Sequence, residues 1–508
     1  MTTRFDLAVI GGGINGCGIA RDAAGRGLAV CLCEMDDLAS GTSSRSTGLI
    51  HGGLRYLEYY DFRLVRESLR EREVLLGIAP HVVQPLRIVL PYRRGMRPAW
   101  LLRLGLFIYD HMGGRKRLPP TRVLDLTRDP AGIPLKPGKF RTGFAFSDCR
   151  ADDARLVVLN ARDAADRGAA IRTRTKVVMT RRRDRHWEIT VEDQASRRRD
   201  IIAARALVNA TGPWVEETLA SCLGVQPAAH RRARLVKGTH IVVPQLFDHG
   251  GAYMFQNSDG RFIFALPYEG AHTLIGTTER DFSGNPAEVA AAAEEIQYLC
   301  DAVSEYFAKP VHAADVVRSY AGVRPLYDDR VRDAAAATRD YVLELDAPPE
   351  CAPLLSVFGG KITTHRRLAE VALDRLAPFL PSPNRHRAGW TAFATLPGGA
   401  ACEAAALAQK LASDYPFLEP SHIGRLAATY GERAQRILAG ARTTADLGVA
   451  FGAMLTEAEV RYLMAEEFAR TAADVLWRRT KLGLAFSDND AAALHRFMAV
   501  ASAPQMAP

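Results

Sequence analysis

The spacing of three glycines near the N-terminus constrains this chain more than any other feature. Residues 5–11 form a short apolar run, which is typical of a buried parallel strand, and Gly11, Gly13 and Gly16 follow in the pattern G-x-G-x-x-G. Glycines at this spacing permit a tight turn and let backbone N–H groups approach a diphosphate at the N-terminus of a helix. The pattern therefore predicts a dinucleotide-binding βαβ unit.

A carboxylate after the next apolar run supports this prediction. Residues 28–33 are apolar, and Glu34 follows them directly, where its two oxygens can accept both hydrogen bonds from an adenosine ribose. FAD and NAD share such a turn. Two features favour FAD, because no second glycine fingerprint is present and the strand at 205–210 ends in small residues that can pass close beside a cofactor.

Composition and charge narrow the class of protein. With 508 residues, 48% hydrophobic and 24% charged, the chain is typical of a globular protein of roughly two to four domains. Its 8 cysteines show no CxxC pair, which favours a reducing cytoplasm and predicts no metal site. The net charge of +9 indicates anionic partners: phosphorylated substrates, nucleic acid or acidic lipid.

The order of periodic segments predicts an α/β fold. We expect a Rossmann-like FAD-binding domain interleaved with a mostly antiparallel β-sheet substrate domain over residues 1–390, and a C-terminal α-helical domain over 391–508. The substrate-facing and membrane-facing parts are expected at about 80–145 and 235–315. A long Ala-rich helix is predicted at roughly 287–308.

A family resemblance emerges at residues 41–58, GTSSRSTGLIHGGLRYLE, which are dense in hydroxyls and glycines directly after the strand that ends at Glu34. Together with GGGINGCGIARDAAGRG before it, this stretch resembles the aerobic FAD-dependent glycerol-3-phosphate dehydrogenases of the D-amino-acid-oxidase-like flavoprotein group. Further blocks resemble family segments in the same order: FSDCRADDARL, LVNATGPWV, KGTHIVVP, IGTT, YAGVRPL, LLSVFGGKITT and LWRRTKLGL. Two positions depart from the family pattern, Gly48 in place of Lys and Glu279 in place of Asp.

The resemblance implies a reaction and a location. The expected reaction is oxidation of sn-glycerol 3-phosphate to dihydroxyacetone phosphate by hydride transfer to FAD, with the electrons passed to a membrane quinone. The expected location is cytoplasmic, attached peripherally to the inner face of the cytoplasmic membrane. Two enzymatic alternatives stay open, an oxidase that uses O₂ and an amino-acid oxidase of the same fold group, and a homodimer is an open possibility.

The motifs and the resemblance together nominate cofactor-binding residues. These are expected to be Gly11, Gly13, Asn15, Gly16, Glu34, Thr42, Ser43, Ser46, Gly52, Gly53, Ala210, Gly212, Gly360 and Lys361.

The resemblance also nominates substrate-binding and catalytic residues. A phosphate dianion needs cations with fixed donors, which arginine supplies as a planar fork. The substrate-binding residues are expected to be Arg55, Tyr56, Thr277, Thr278 and Arg324.

For catalysis we expect His240, Arg324 and Lys361. His240 is the candidate base, because an unperturbed imidazole pKa near ~6.5 lies close to the working pH, and His51 is a looser candidate.

Residues 92–117 predict a contact with an anionic membrane surface. Basic residues surround the apolar run WLLRLGLFIY, which is too short and too charged to span a bilayer but suited to lie at its interface. The alternative is a core helix with a basic rim. The non-enzyme alternative is a basic nucleic-acid-binding protein that uses the C-terminal helical domain and other Arg-rich runs, at 181–185, 197–199 and 231–234. These runs have no alternating aromatic residues, so no nucleic-acid partner is expected.

Overall fold

The structure is a computed structural model, and it describes residues 3–93, 95–114, 117–224, 233–257, 259–327, 340–381, 388–400 and 404–501. The strands are β1 (Thr3–Ile10), β2 (Val30–Cys33), β3 (Leu49–Ile50), β4 (Val83–Pro91), β5 (Arg122–Asp125), β6 (Thr142–Ala151), β7 (Ala170–Arg172), β8 (Thr175–Arg182), β9 (Trp187–Asp193), β10 (Arg199–Asn209), β11 (Ala233–Pro244), β12 (Ala252–Gln256), β13 (Phe262–Tyr268), β14 (His272–Gly276), β15 (Arg280–Asp281), β16 (Arg318–Tyr327), β17 (Val342–Asp346), β18 (Leu354–Phe358), β19 (Ala450–Gly452) and β20 (Leu455–Thr456). The helices are α1 (Ile14–Gly25), α2 (Phe62–Ile78), α3 (Ala99–Met112), α4 (Asp153–Asp166), α5 (Val215–Ser221), α6 (Ala293–Ser304), α7 (His365–Leu376), α8 (Ala404–Asp414), α9 (Pro420–Tyr430), α10 (Ala434–Ile437), α11 (Glu457–Glu466) and α12 (Asp488–Ala501).

The first sheet has a parallel centre in the order β7-β2-β1-β10-β18. Its strands are continuous apolar runs because both faces of the sheet are covered. Helices α1, α4 and α7 pack on one face, and a second apolar cluster covers the other. Leu7 and Val9 of β1 are accordingly 0% and 1% exposed. Parallel strands end at one common edge, so the residues after β1, β2 and β10 are brought together there.

The second sheet is mostly antiparallel and runs β15-β11-β14-β13-β12-β4-β6-β3, with β16 beside β11 and β5 beside β6. Strand β11 pairs with β16 along ten residue pairs, from Ala233↔Tyr327 to Val242↔Arg318. Helix α6 and its apolar neighbours cover one face of this sheet, while α2 and α3 pack near the other through a separate apolar cluster. The predicted fold class is confirmed by these two interleaved sheets.

The helix predicted at roughly 287–308 is shorter than expected. The structure places a 3₁₀ turn at Pro286–Glu288 and begins α6 only at Ala293. Val289 between them has an extended backbone, with φ −62° and ψ 127°, which interrupts helical hydrogen bonding. The prediction of the longer helix was wrong, because alanine content does not report the turn that Asn285 and Pro286 favour.

The residues after 404 form a hydrophobic core of their own from helices α8 to α12, with a short β19–β20 hairpin between them. This core contains Leu411, Leu426, Leu463 and Leu494, each 0% exposed.

Ion pairs join this helical part to the first sheet and its helices. The Arg155 guanidinium of α4, 1% exposed, is paired with both carboxylate oxygens of Glu467, which is 0% exposed. Arg479 reaches Asp37 at 2.8 Å from each of two guanidinium nitrogens, and both side chains are likewise buried. The docking of the two parts therefore depends on charges that water cannot solvate if a partner is lost.

We expect Glu467→Ala to lower the free energy of unfolding by about 3–5 kcal/mol, because it leaves the Arg155 charge buried without its carboxylate. The neighbouring Glu466, 37% exposed, lies 3.7 Å from Arg162 and provides the control: Glu466→Ala should change stability by less than about 1 kcal/mol. Urea titration of each variant, followed by fluorescence and far-UV circular dichroism, measures both. Equal destabilisation by the two substitutions would contradict the role given to the buried pair.

Candidate active site

A cavity of about 1210 Å³ lies where the carboxyl edge of the first sheet meets the second sheet. Its wall is built from the turn after β1, the loop of residues 40–56, the ends of β10 and β16, and the turn after β18. One end therefore belongs to the dinucleotide-binding βαβ unit and the other to the antiparallel sheet. The cavity joins the predicted cofactor residues to the predicted substrate residues.

The glycine turn is held by close backbone contacts. Gly11 has φ +111°, and a Cβ there would lie 2.5 Å from the carbonyl oxygen of Ala210. A Cβ on Gly16 would lie 2.0 Å from the carbonyl oxygen of Gly11, so this glycine lets α1 pack against the end of β1. The N-terminus of α1 consequently points its N–H groups at the cavity, where a diphosphate is stabilised.

Side chains at this helix end complete the cradle. The Ser43 hydroxyl accepts a hydrogen bond from the Ile14 N–H at 3.0 Å. The Asn15 side-chain amide donates to the Gly359 carbonyl at 3.2 Å, while its buried Oδ1 has no hydrogen-bond partner within the residues the structure describes. An unpaired buried acceptor at the cavity wall is what a ligand with donor groups satisfies.

Glu34 is positioned for a ribose. Its Oε2 accepts from the Gly12 N–H at 2.6 Å and its Oε1 from the Asp36 N–H at 2.8 Å. Burial raises the pKa of Glu34 to about 7, although the Gly12 hydrogen bond opposes the shift. The Glu34 carboxylate fits the hydroxyls of an adenosine ribose, and the glycine cradle fits the diphosphate of FAD.

Two arginines share one carboxylate at the other end of the cavity. Arg55 Nη1 lies 3.2 Å from Glu279 Oε2, and Arg324 Nη1 lies 3.4 Å from Glu279 Oε1. Arg324 is placed by the β11–β16 register, which sets it opposite Val236, and burial lowers its pKa. We call Arg55, Glu279 and Arg324 the arginine clamp.

The turn that carries Glu279 is anchored from behind. The Thr278 hydroxyl donates to Glu295 Oε1 at 2.9 Å and accepts from the Thr239 N–H at 3.0 Å. Glu295 is 0% exposed, and its Oε2 lies 2.6 Å from Lys237 Nζ. Burial alone would raise the pKa of this carboxyl, but the hydrogen bond from Lys237 and other hydrogen bonds outweigh burial, so its pKa is lowered. Thr278 therefore holds the turn in place, whereas Thr277 beside it lines the cavity.

Lys361 and Tyr56 lie together at the cavity wall. The Lys361 ammonium is 3.9 Å from the centre of the Tyr56 ring, a cation–π contact. Lys361 follows Gly359 and Gly360, whose φ angles of +71° and +97° turn the chain sharply after β18. A third cation is thus presented near the arginine clamp.

His240 lies behind the wall rather than on it. Its Nε2 is 2.9 Å from the Thr47 hydroxyl, its ring stacks on Tyr320 at 5.0 Å, and its Nδ1 makes no hydrogen bond within the described ranges. Burial above all, and Arg324 second, lower the pKa of His240 to about 3. The premise of an unperturbed pKa is therefore wrong, because the β11 position is fully enclosed; the base role itself stays a prediction, with Thr47 between the imidazole and the cavity.

The cavity brings together most of the predicted residues. Those on its wall are Gly11, Gly13, Asn15, Glu34, Thr42, Ser43, Ser46, His51, Gly53, Arg55, Tyr56, Ala210, Gly212, Thr277, Arg324, Gly360 and Lys361. Those behind it are Gly16, Gly52, Thr278 and His240. A contact of any of these residues with cofactor or substrate stays a prediction.

Other wall residues were not predicted from the sequence. Phe262 and Phe264 of β13 face the cavity, as does Thr47, and Gly322 lies against Arg45 where a Cβ would be 3.1 Å from the Arg45 Cβ. The alternation in RFIFALPY places both phenylalanines on one face of a strand. That signal identifies the shared face but not what the face covers.

We expect FAD binding to weaken as the pH falls below about 7, because the ribose requires the Glu34 carboxylate and the flavin-free protein protonates it there. The apparent Kd should rise roughly tenfold per pH unit below that point and stay flat above it, since one pKa unit is about 1.4 kcal/mol. Fluorescence titration of flavin-free protein with FAD measures this. Glu34→Gln should bind FAD more weakly with no such slope, and the exposed neighbour variant Asp36→Asn should keep it; an unchanged slope in Glu34→Gln would remove Glu34 as its cause.

Comparison with known proteins gives two matching families. The family described as FAD dependent oxidoreductase matches residues 6–366, and the family described as the C-terminal domain of alpha-glycerophosphate oxidase matches residues 390–504.

Individual relatives extend over almost the whole chain. It is 51% identical over 493 residues to D-erythritol 1-phosphate dehydrogenase of Brucella abortus, and the match covers 96% of each chain. It is 50% identical over 495 residues to glycerol-3-phosphate dehydrogenase of Pseudomonas aeruginosa, with 97% of this chain and 95% of that one covered. The solved structure of glycerol-3-phosphate dehydrogenase from Bacillus halodurans complexed with FAD is 28% identical, with a TM-score of 0.74, 98% of this chain covered and 90% of the other.

These matches confirm the resemblance inferred from the motifs and confirm FAD as the cofactor. The cradle formed by the glycine turn, Asn15 and Glu34 is where the chain would hold it. This chain belongs to the FAD-dependent oxidoreductase family, in the group that carries the C-terminal domain of alpha-glycerophosphate oxidase.

Proposed function

We propose that this protein oxidises sn-glycerol 3-phosphate to dihydroxyacetone phosphate and passes the electrons to a membrane quinone. The observation that carries the proposal is the arginine clamp, in which Arg55 and Arg324 converge on one anion position in the same cavity as the FAD cradle. FAD, when bound, supplies the acceptor for the hydride that leaves C2 of the substrate.

The clamp suits a phosphate ester better than a neutral or singly charged group. Two guanidiniums offer several N–H donors in fixed planes, and a phosphate dianion has three terminal oxygens to accept them. Because the side chains of Arg55 and Arg324 are 21% and 26% exposed, the bound phosphate would be partly shielded from water and from salt. The alternative of an amino-acid substrate leaves part of this donor set unused.

The alcohol end of the substrate would lie in the part of the cavity between the clamp and the FAD cradle. Thr277 and Tyr56 provide hydroxyls on this stretch of wall, and Lys361 provides a cation. As the hydride leaves C2, the proton of the C2 hydroxyl must also leave. Lys361 would stabilise the negative charge that develops on that oxygen. His240 remains the candidate base, acting through the Thr47 hydroxyl at 2.9 Å.

A second candidate substrate is D-erythritol 1-phosphate. The 51%-identical relative from Brucella abortus is named for that compound, and its identity to this chain matches that of the glycerol-3-phosphate dehydrogenase at 50%. Both compounds are open-chain polyol phosphates, so the clamp serves either. The ratio of kcat/KM for the two substrates, measured on one preparation, decides between them.

Helix α3 supports attachment to a membrane. Trp100, Leu104, Phe107 and Ile108 are 69%, 46%, 58% and 37% exposed, and their spacing places them on one helical face. The opposite face buries Leu106 and Tyr109 against the protein, so α3 is a docked helix with an apolar outer surface. No helix among the described residues is long and apolar enough to cross a bilayer.

Basic side chains accompany this apolar surface. Arg97, 49% exposed, precedes the helix and pairs with Glu58, and Arg103 is exposed on it. Arg94, Arg115 and Lys116, which the sequence also suggested for lipid contact, lie outside the described residues. An apolar face beside arginines is suited to an anionic membrane surface, where an apolar quinone is available.

Arg324→Ala should raise the KM for sn-glycerol 3-phosphate roughly 10- to 100-fold, because a charged hydrogen-bond donor to the phosphate is lost. Steady-state assays with a quinone analogue as acceptor measure it, and inhibition by glycerol, which lacks the phosphate, should change little. Arg318→Ala is the matched control on the same strand, since Arg318 stacks on Trp477 outside the cavity. Stoichiometric hydrogen peroxide without quinone reduction, or an unchanged phosphate preference in Arg324→Ala, would overturn the proposal.

The double variant Leu104→Glu with Phe107→Glu should lose binding to anionic phospholipid vesicles by more than about tenfold, since burying each apolar side chain contributes about 1.5–3 kcal/mol. Vesicle co-sedimentation measures the bound fraction. Ile133→Glu, at a side chain that is 82% exposed at the end of the 3₁₀ turn Pro130–Gly132, is the control and should bind as the unmodified protein does. Retained binding by the double variant would show that α3 is not the lipid contact.

A further inference from the structure

The carboxylate of Glu279 occupies the position that an anionic substrate needs. One of its oxygens faces Arg55 at 3.2 Å and the other faces Arg324 at 3.4 Å, so the group bridges both guanidiniums. Its side chain is 11% exposed and lies on the cavity wall. The two guanidiniums of the clamp are therefore already paired with an anion that belongs to the chain itself.

The backbone on both sides of Glu279 is held in place by its neighbours. Thr278, directly before it, is tied to Glu295 at 2.9 Å, and Glu295 is tied to Lys237 at 2.6 Å. Arg280, directly after it, begins β15 and is paired in the sheet with Lys237 of β11. A carboxylate tethered at such a point competes with free anions at a high effective concentration.

We propose that Glu279 is a displaceable internal anion: the phosphate of the substrate enters by exchanging with its carboxylate on Arg55 and Arg324, and the product phosphate leaves as the carboxylate pairs with them again. The inference rests on the proposed function in placing the phosphate at the clamp. It makes Glu279 a specificity-determining residue, since an entering anion must bind the two arginines more strongly than the tethered carboxylate does.

The charges explain why a phosphate succeeds. A phosphate group carries about −1.5 to −2 with three acceptor oxygens, whereas a carboxylate carries −1 with two, so the exchange favours phosphate at the two guanidiniums. A free monocarboxylate has the same charge and the same number of acceptor oxygens as Glu279, so it gains no advantage at the two guanidiniums. Aspartate at this position is one methylene shorter and bridges the 3.2 Å and 3.4 Å contacts less well, so the length of Glu279 matters.

A structural role and a competing role predict opposite signs, and this makes the proposal testable. If Glu279 merely held the two arginines in place, its removal would loosen them and weaken the binding of every anion. If Glu279 competes for them, Glu279→Gln strengthens that binding. The flavin-loaded protein is titrated with inorganic phosphate by calorimetry, and KM for sn-glycerol 3-phosphate and inhibition by dihydroxyacetone phosphate are measured alongside.

For Glu279→Gln we expect phosphate binding at least about fivefold tighter, a KM lower by a similar factor and stronger product inhibition, with kcat reduced where product release limits turnover. Glu279→Asp should move in the same direction by less. Asp281→Asn removes the same charge two residues away, at a side chain that is 62% exposed and paired with Arg234, and should leave the phosphate affinity unchanged.

Weaker or unchanged phosphate binding in Glu279→Gln overturns the proposal, as does the absence of binding to both proteins or an equal gain in Asp281→Asn. The calorimetric arm uses inorganic phosphate and needs no turnover. If sn-glycerol 3-phosphate proves not to be a substrate while phosphate still binds more tightly to Glu279→Gln, the proposed function fails and the exchange at the clamp stands. A thermal melt and the flavin content of each variant confirm that it is folded.

Discussion

The contact between the turn after β1 and the turn after β10 supports the rest of the site. Gly11 approaches the Ala210 carbonyl so closely that a Cβ would lie 2.5 Å from it, and Gly16 approaches Gly11 in the same way from α1. These two approaches aim the helix N-terminus at the cavity and bring β10 alongside the cofactor. Parallel pairing of β1 with β2 then delivers Glu34 to the same edge, so a single packing constraint assembles the cradle.

The second sheet supplies the substrate end through register rather than through a turn. Because β11 pairs with β16 from Ala233 to Val242, the position of Arg324 is fixed by the whole ladder. A Cβ on Gly238, which is paired with Gly322, would lie 2.6 Å from the Thr277 hydroxyl and 3.2 Å from the Arg324 guanidinium. Absence of a side chain there lets the arginine cross the strand, and the rigidity of the sheet holds it with little loss of entropy on binding.

Sequence reasoning reached the parts of the site that depend on local spacing. The glycine turn and Glu34 could be predicted because each acts within a few residues of chain. Strand β4 was not predicted, since Pro85 and Arg87 interrupt its alternation, and only pairing with β6 and β12 makes it a strand. The low pKa of His240 was equally out of reach, because it arises from enclosure by elements distant in the chain.

The clamp and the whole chain act on anions at different ranges. The net charge of +9 raises the local concentration of phosphorylated compounds around the protein but cannot distinguish one anion from another. At the clamp, two guanidiniums and one carboxylate sum to 2 − 1 = +1, a modest local charge that attracts less than two bare arginines would. Selection at this point therefore depends on how well an anion replaces a carboxylate across two fixed forks, which is a question of geometry and acceptor number more than of attraction.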